Sequence, residues 1–149
     1  MANTSAKYVK RAAIAALTAA APVAGVPAAR VYPMQRPATL VWPWIGYGAP
    51  ITAPFGASCL DGSDITVAIH GFAETTGSGA QTVSGEDAAH DINAAVEAAL
   101  DGATIDLAAH GCPFPATAHF TSTGGQVIQD GREAGKFHGF VNFRIVVSS

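Results

Sequence analysis

The chain is short of charge. Asp, Glu, Lys and Arg make up 13% of its 149 residues, about half the usual share for a soluble protein. With a formal net charge of −3, it lacks the basic footprint of a nucleic-acid binder. The eight basic residues are scattered, apart from Lys7, Lys10 and Arg11, which read as the polar face of a helix. Cysteine is scarce as well. Cys59 and Cys112 lie 53 positions apart with no CxxC spacing, which leaves two readings open: a pair of buried thiols, or one disulfide in an exported protein. Uninterrupted apolar runs are missing too, and none reaches the roughly 18 to 20 residues that span a bilayer.

Other absences bear on catalysis. His70, His90, His110, His119 and His138 show no HxxxH or HxH spacing and have no acidic cluster beside them, so no metal site is expected. His70 and His138 fall within expected strands and read as structural histidines. His110-Gly111-Cys112 sets a base next to a thiol, but adjacent residues rarely face each other, and Pro113 makes a tight turn the simpler account. Gly77-Ser78-Gly79 has no lysine after it and so is no phosphate loop. Gly124-Gly125 lies between two β runs, as a hairpin turn would. There is no GxSxG elbow. Asp61, Asp64, Asp101 and Asp106 are isolated and flank expected turns. Neither an enzyme nor a cofactor is expected.

What is present is apolar: 49% of the residues are hydrophobic, much of it alanine. Low charge with ordinary aromatic content points to a surface partly covered by neighbouring subunits, because interface cores are depleted in charge. The length suits one domain, 1–149, with enough chain to bury its own core.

Along the chain, Thr4 or Ser5 is placed to cap a first helix over about 6–20, with Val9, Ala13, Ala16 and Leu17 at helical spacing. The run Ala12–Ala29 imitates a secretion leader, but Ile14 and Leu17 are its only large apolar residues before Pro22, so a helix of the mature protein is expected. Arg30–Tyr32, Thr39–Trp42 and Trp44–Tyr47 are candidate short strands, with Pro43 at an edge or bulge. An aromatic, proline-rich loop is expected over about 42–62, chiefly Gly46–Ser58. Asp64–Glu74 alternates as a central strand. After a polar loop, Thr75–Ser84, a second helix is expected over about 85–101, with Ser84 as N-cap, acids in its first turn and Gly102 beyond its end. Thr104–Leu107, Ala116–Thr123, Gln126–Asp130 and Lys136–Val147 complete the β content. The class is α+β: one mixed, mainly antiparallel sheet with a helix on one face and an N-terminal helix.

Trp42, Trp44, Tyr47 and Phe55 place four large rings within fourteen residues. They either close one end of the core or anchor a subunit interface. Base stacking is disfavoured, because no Lys or Arg is interleaved with them. Lys7, Arg11 and Arg132 are the charged interface candidates.

The order of parts carries a resemblance. An alanine-rich helix leads through Pro22-Val23-Ala24-Gly25-Val26 to Arg30-Val31-Tyr32-Pro33. A strand ends at Phe72 and Glu74, a helix runs from Ala88 to Leu100, and the chain closes on His138-Gly139-Phe140-Val141-Asn142-Phe143-Arg144. From about Ala6 to Val147 this resembles the small tail-completion, or tail-terminator, proteins of long-tailed phages and gene-transfer-agent particles. It departs from that pattern between Trp42 and Gly62, which is richer in aromatics and proline. The resemblance implies a structural virion protein of the tail and neck, made in the host cytoplasm and without a membrane. It implies a hexameric ring that terminates the tail tube and joins it to head-side neck or connector proteins. DNA would pass through the lumen without specific binding. The alternatives are another head-tail joining or minor tail protein, or, from a different class, a secreted small enzyme or binding module with a leader over Met1–Ala29.

Overall fold

The computed structural model describes all residues except Met1, Ala21, Pro22, Ser58, Cys59 and Ser149, and all side chains except those of 1–4 and 54–61 as well. Helix α1 (Ala2–Ala19) and helix α2 (Gly85–Leu100) flank strands β1 (Val31–Tyr32), β2 (Trp44–Tyr47), β3 (Ile51–Ala57), β4 (Leu60–Glu74), β5 (Thr104–Asp106), β6 (Thr117–Gln129) and β7 (Lys136–Ser148). The strands form one sheet in the order β1-β2-β4-β7-β6-β5, with β3 also pairing with β4. Among the described residues, only β1 and β2 pair in parallel. This is the expected α+β class.

Alternation assigns the two faces of the sheet. In β4, Ile65, Val67, Ile69 and Ala73 are buried, and in β7 so are Val141, Phe143, Ile145 and Val147. Both helices contribute to the same core: Val9, Ala13 and Leu17 from α1, and Ala89, Ile92, Val96 and Leu100 from α2. Burying each of the larger side chains is worth about 1.5–3 kcal/mol. Ser84 caps α2 as expected, its Oγ accepting a hydrogen bond from the Asp87 N–H at 3.3 Å.

Where α2 crosses the sheet, Gly71 on β4 stands directly opposite Gly139 on β7. A Cβ on Gly71 would strike Ile92, and one on Gly139 would strike Asn93. The paired glycines form a saddle that seats the helix close to the strands.

Several expectations are corrected. The loop over 42–62, and Gly46–Ser58 within it, is mostly strand: β2, then β3, which forms a hairpin with the first half of β4. β3 pairs with β4 alone, and an edge strand tolerates Pro54. Thr39–Trp42 is not a strand. The Trp42 and Pro43 carbonyls instead accept hydrogen bonds from Arg30 Nη1, at 3.0 and 3.2 Å. Gly124-Gly125 is not a hairpin turn, because β6 runs through it opposite the equally long β7. An extra residue is absorbed as a bulge between Ser122 and Gly124, where Gly124 takes φ 110°. Finally, α1 begins at Ala2, so Ser5 is not its cap. Ser5 is buried inside the helix and donates from Oγ to Ser63 Oγ at 3.1 Å.

Candidate interaction surface

The helices cover one face of the sheet, and the opposite face carries rings. Across four strands, Trp44 pairs with Phe72, Phe72 with His138, and His138 with Ile128. The rings follow the register. Trp44 stacks on Phe72 at 4.0 Å and 10°, and Phe72 stacks on His138 at 4.3 Å and 8°. His70 and Phe140, opposite each other in the next row, lie 6.3 Å apart. Aromatic pairs of this kind add about 0.5–1.5 kcal/mol beyond area burial.

Cations cover the ends of the cluster. Arg36 lies over the Trp44 ring at 5.4 Å, and its Nη2 donates to the Tyr47 carbonyl at 3.3 Å. Lys136, paired with Glu133 at 2.6 Å, sits 5.3 Å from the Trp42 ring. Phe72, His70, His138 and Phe140 are only half-buried, and Ile128 is 42% exposed. At the far end of the same face, Arg144 grips Asp64 through Nε and Nη2, the shorter contact being 2.7 Å.

His70 Nδ1 and His138 Nε2 approach to 2.6 Å. Burial pushes the His70 pKa down to about 4, helped by the positive charges of His138 and Arg36. Burial also lowers His138, against the opposing pull of Asp130. Two neutral imidazoles suit this contact, one donating N–H to the lone pair of the other.

The candidate residues named from sequence separate into several places. Trp42 and Trp44 join the ring cluster, Trp42 edge-on to Phe72 at 5.7 Å. Tyr47 is on the opposite, helix-covered face, 1% exposed, and its hydroxyl has no hydrogen-bond partner among the described residues. Burial raises its pKa. Phe55 belongs to β3, but its side chain lies outside the described residues, as does Cys59. Cys112 is a buried free thiol. Lys7 and Arg11 are exposed on α1, flanking the Tyr8 ring at 5.0 and 5.6 Å. Arg132 is exposed in the turn between β6 and β7.

Sequence reasoning missed Phe72, Phe140 and the contact between His70 and His138. The available signal was a set of rings at the even positions of β4 and β7, the phase that should have been polar. Among the described residues, no three His, Cys, Asp or Glu side chains come together in a group fit for a metal.

A sheet backed by two helices on one face and bearing aromatic side chains on the other defines a small α+β protein. The chain belongs to the family of the tail completion protein gp17, whose model matches residues 11–148. It is therefore a structural component of a phage-type tail. It shares its fold with a chain from a solved structure described as the virion of a native gene transfer agent (GTA) particle. Identity is 18% and the TM-score 0.66, covering 93% of this chain and 94% of that one. No curated protein matches the sequence.

Proposed function

We propose that the protein is a single-domain, non-catalytic subunit of the phage neck. In this reading, copies form a ring, expected to be hexameric, that terminates the tail tube and joins the tail to the head-side connector. The family match over residues 11–148 carries the reading, and the virion setting of the structural neighbour supports it. A ring ends tube growth geometrically, because its far face no longer presents a tube-type surface. Cyclic head-to-tail contacts close naturally into such rings.

Partners on this reading are further copies of the chain, the tail tube protein and head-side neck proteins. The half-buried rings around Phe72 and Trp42 supply one contact surface, since aromatic anchors concentrate binding energy. The net charge of −3 suits a lumen through which DNA passes without being held.

The test is electron microscopy of particles made with and without this chain. The reading expects uncontrolled tube length, or tails detached from heads, when the chain is missing, and a ring at the head-proximal end of the tube when it is present. Normal tails of normal length in its absence would refute it. A minor tail protein would instead leave tail length and head attachment intact.

A further inference from the structure

Charge is segregated along this chain. All five charged residues before Asp61 are basic: Lys7, Lys10, Arg11, Arg30 and Arg36. All eleven acids lie from Asp61 onward, with only Arg132, Lys136 and Arg144 among them. The two parts carry +5 and −8, which together make the net −3.

The fold turns this division into two separate patches. Helix α1 packs against α2 and against β1, β3 and β4, whereas the rest of α2 lies across β4, β7 and β6. Beside α1, Lys10 and Arg11 rim an apolar groove floored by Ile14, Ala15, Ala19 and Pro33. The groove continues past Lys7 and Met34 to Tyr47, whose buried hydroxyl lacks a partner among the described residues. Helix α2 carries no Lys or Arg, and its one histidine, His90, is exposed beside Asp87 and Asp91. Its outward stripe, Asp87, Asp91, Ala94 and Ala98, is exposed and follows helical spacing. The ion pairs of the described residues, Lys136–Glu133 and Arg144–Asp64, lie elsewhere.

We infer that the α1 groove receives the outward stripe of α2 from a second copy of the chain. This contact rests on the ring reading above and specifies it. Asp87 and Asp91 meet the basic rim, while Ala94 and Ala98 are small enough to let the helix settle onto the apolar floor. Because the two patches differ and sit on different helices, the contact is heterologous, the kind that generates a ring when its rotation closes. A phosphate backbone fits less well: the floor is apolar, and the rim offers few cations for counterion release.

The test uses two charge reversals in the full chain, K10E/R11E and D87K/D91K, followed by sedimentation over a range of concentrations. Each alone should weaken self-association roughly tenfold or more, because like charges now face each other. Mixing the two in equal amounts should restore it, since every contact in an alternating ring is then matched. The chain carrying all four substitutions should also assemble by itself, which shows that the changes are compatible with the fold.

Wild-type assembly that survives both reversals unchanged would overturn this contact and leave the ring standing. Loss in both variants with no recovery in the mixture or in the four-substitution chain would overturn the charge matching. If K10E/R11E sediments like the wild type but loses retention of double-stranded DNA, the groove is a nucleic-acid surface and the inference fails. A wild type that stays monomeric alone and on tail tubes overturns the ring and this contact together.

Discussion

His70 Nδ1 lies 2.6 Å from His138 Nε2 across two neighbouring strands, so one ring must accept where the other donates. A second proton on the pair turns that acceptor into a donor and sets two positive charges together beside Arg36. The His70 pKa is depressed to about 4 and that of His138 is also lowered. In the unfolded chain both rings titrate near about 6.5. Between these values the unfolded chain binds protons that the folded one does not, so stability falls as pH falls. The contribution is complete above about pH 6.5 and is lost progressively towards about pH 4. Urea midpoints across this range should fall with pH in the wild type, and His70→Gln should flatten the dependence.

The Gly71–Gly139 saddle makes a sharper mutational prediction. Gly71→Ala puts a methyl group into Ile92 and should destabilise by about 1–3 kcal/mol, the usual cost of overpacking. Ile92→Ala should cost about 2–5 kcal/mol as a cavity. Because the new methyl enters the space that Ile92 vacates, the double variant should lose less than the sum of the two, as denaturant titration of the four-member cycle would show. Strict additivity would mean that the helix does not sit where the structure places it.

Tyr47→Phe removes a buried hydroxyl that has no partner among the described residues. Its protomer stability should be unchanged or slightly higher, since the burial penalty of that group disappears. A loss of about 1 kcal/mol or more, of the size of a hydrogen bond, would show that the hydroxyl is satisfied within the protomer. Thermal melting under conditions that keep the protein monomeric makes the measurement.

Ser84→Ala should cost about 1 kcal/mol by leaving the Asp87 N–H without its capping acceptor. Ser84→Asp should retain most of that stability, because a carboxylate caps and also complements the helix dipole. The comparison separates loss of the cap from a general disturbance of the loop before α2.

Ile128→Asp tests the uncovered face. Ile128 is 42% exposed at the end of the ring ladder, so the folded protomer should tolerate the change within about 0.5 kcal/mol. Incorporation into particles should nevertheless fall, because a charge then sits on the surface offered to a neighbour. Wild-type incorporation would remove this end of the face from the contact.

Patterns that stay within one element were legible in the sequence. The α2 stripe with its Ser84 cap and the alternation of β4 and β7 could be read from residue spacing, since each depends on neighbours a few positions apart, where helical and strand periodicity act. The tail-completion resemblance rested instead on the order of parts along the whole chain. Pairing between distant segments was not legible. Pro54 reads as a loop breaker until β3 is seen to pair on one side only, and Gly124 reads as a turn until β6 is laid against the equally long β7. His70 and Phe72 are 68 and 66 positions from His138 in the chain, and no local pattern announces that their rings meet. Sequence alone determined the buried phase of β7 and the Ile92, Val96 and Leu100 stripe of α2, because burial periodicity is set by local backbone geometry. Tertiary structure alone decided which uncovered residues share a surface, because strand register brings together side chains that the chain keeps far apart.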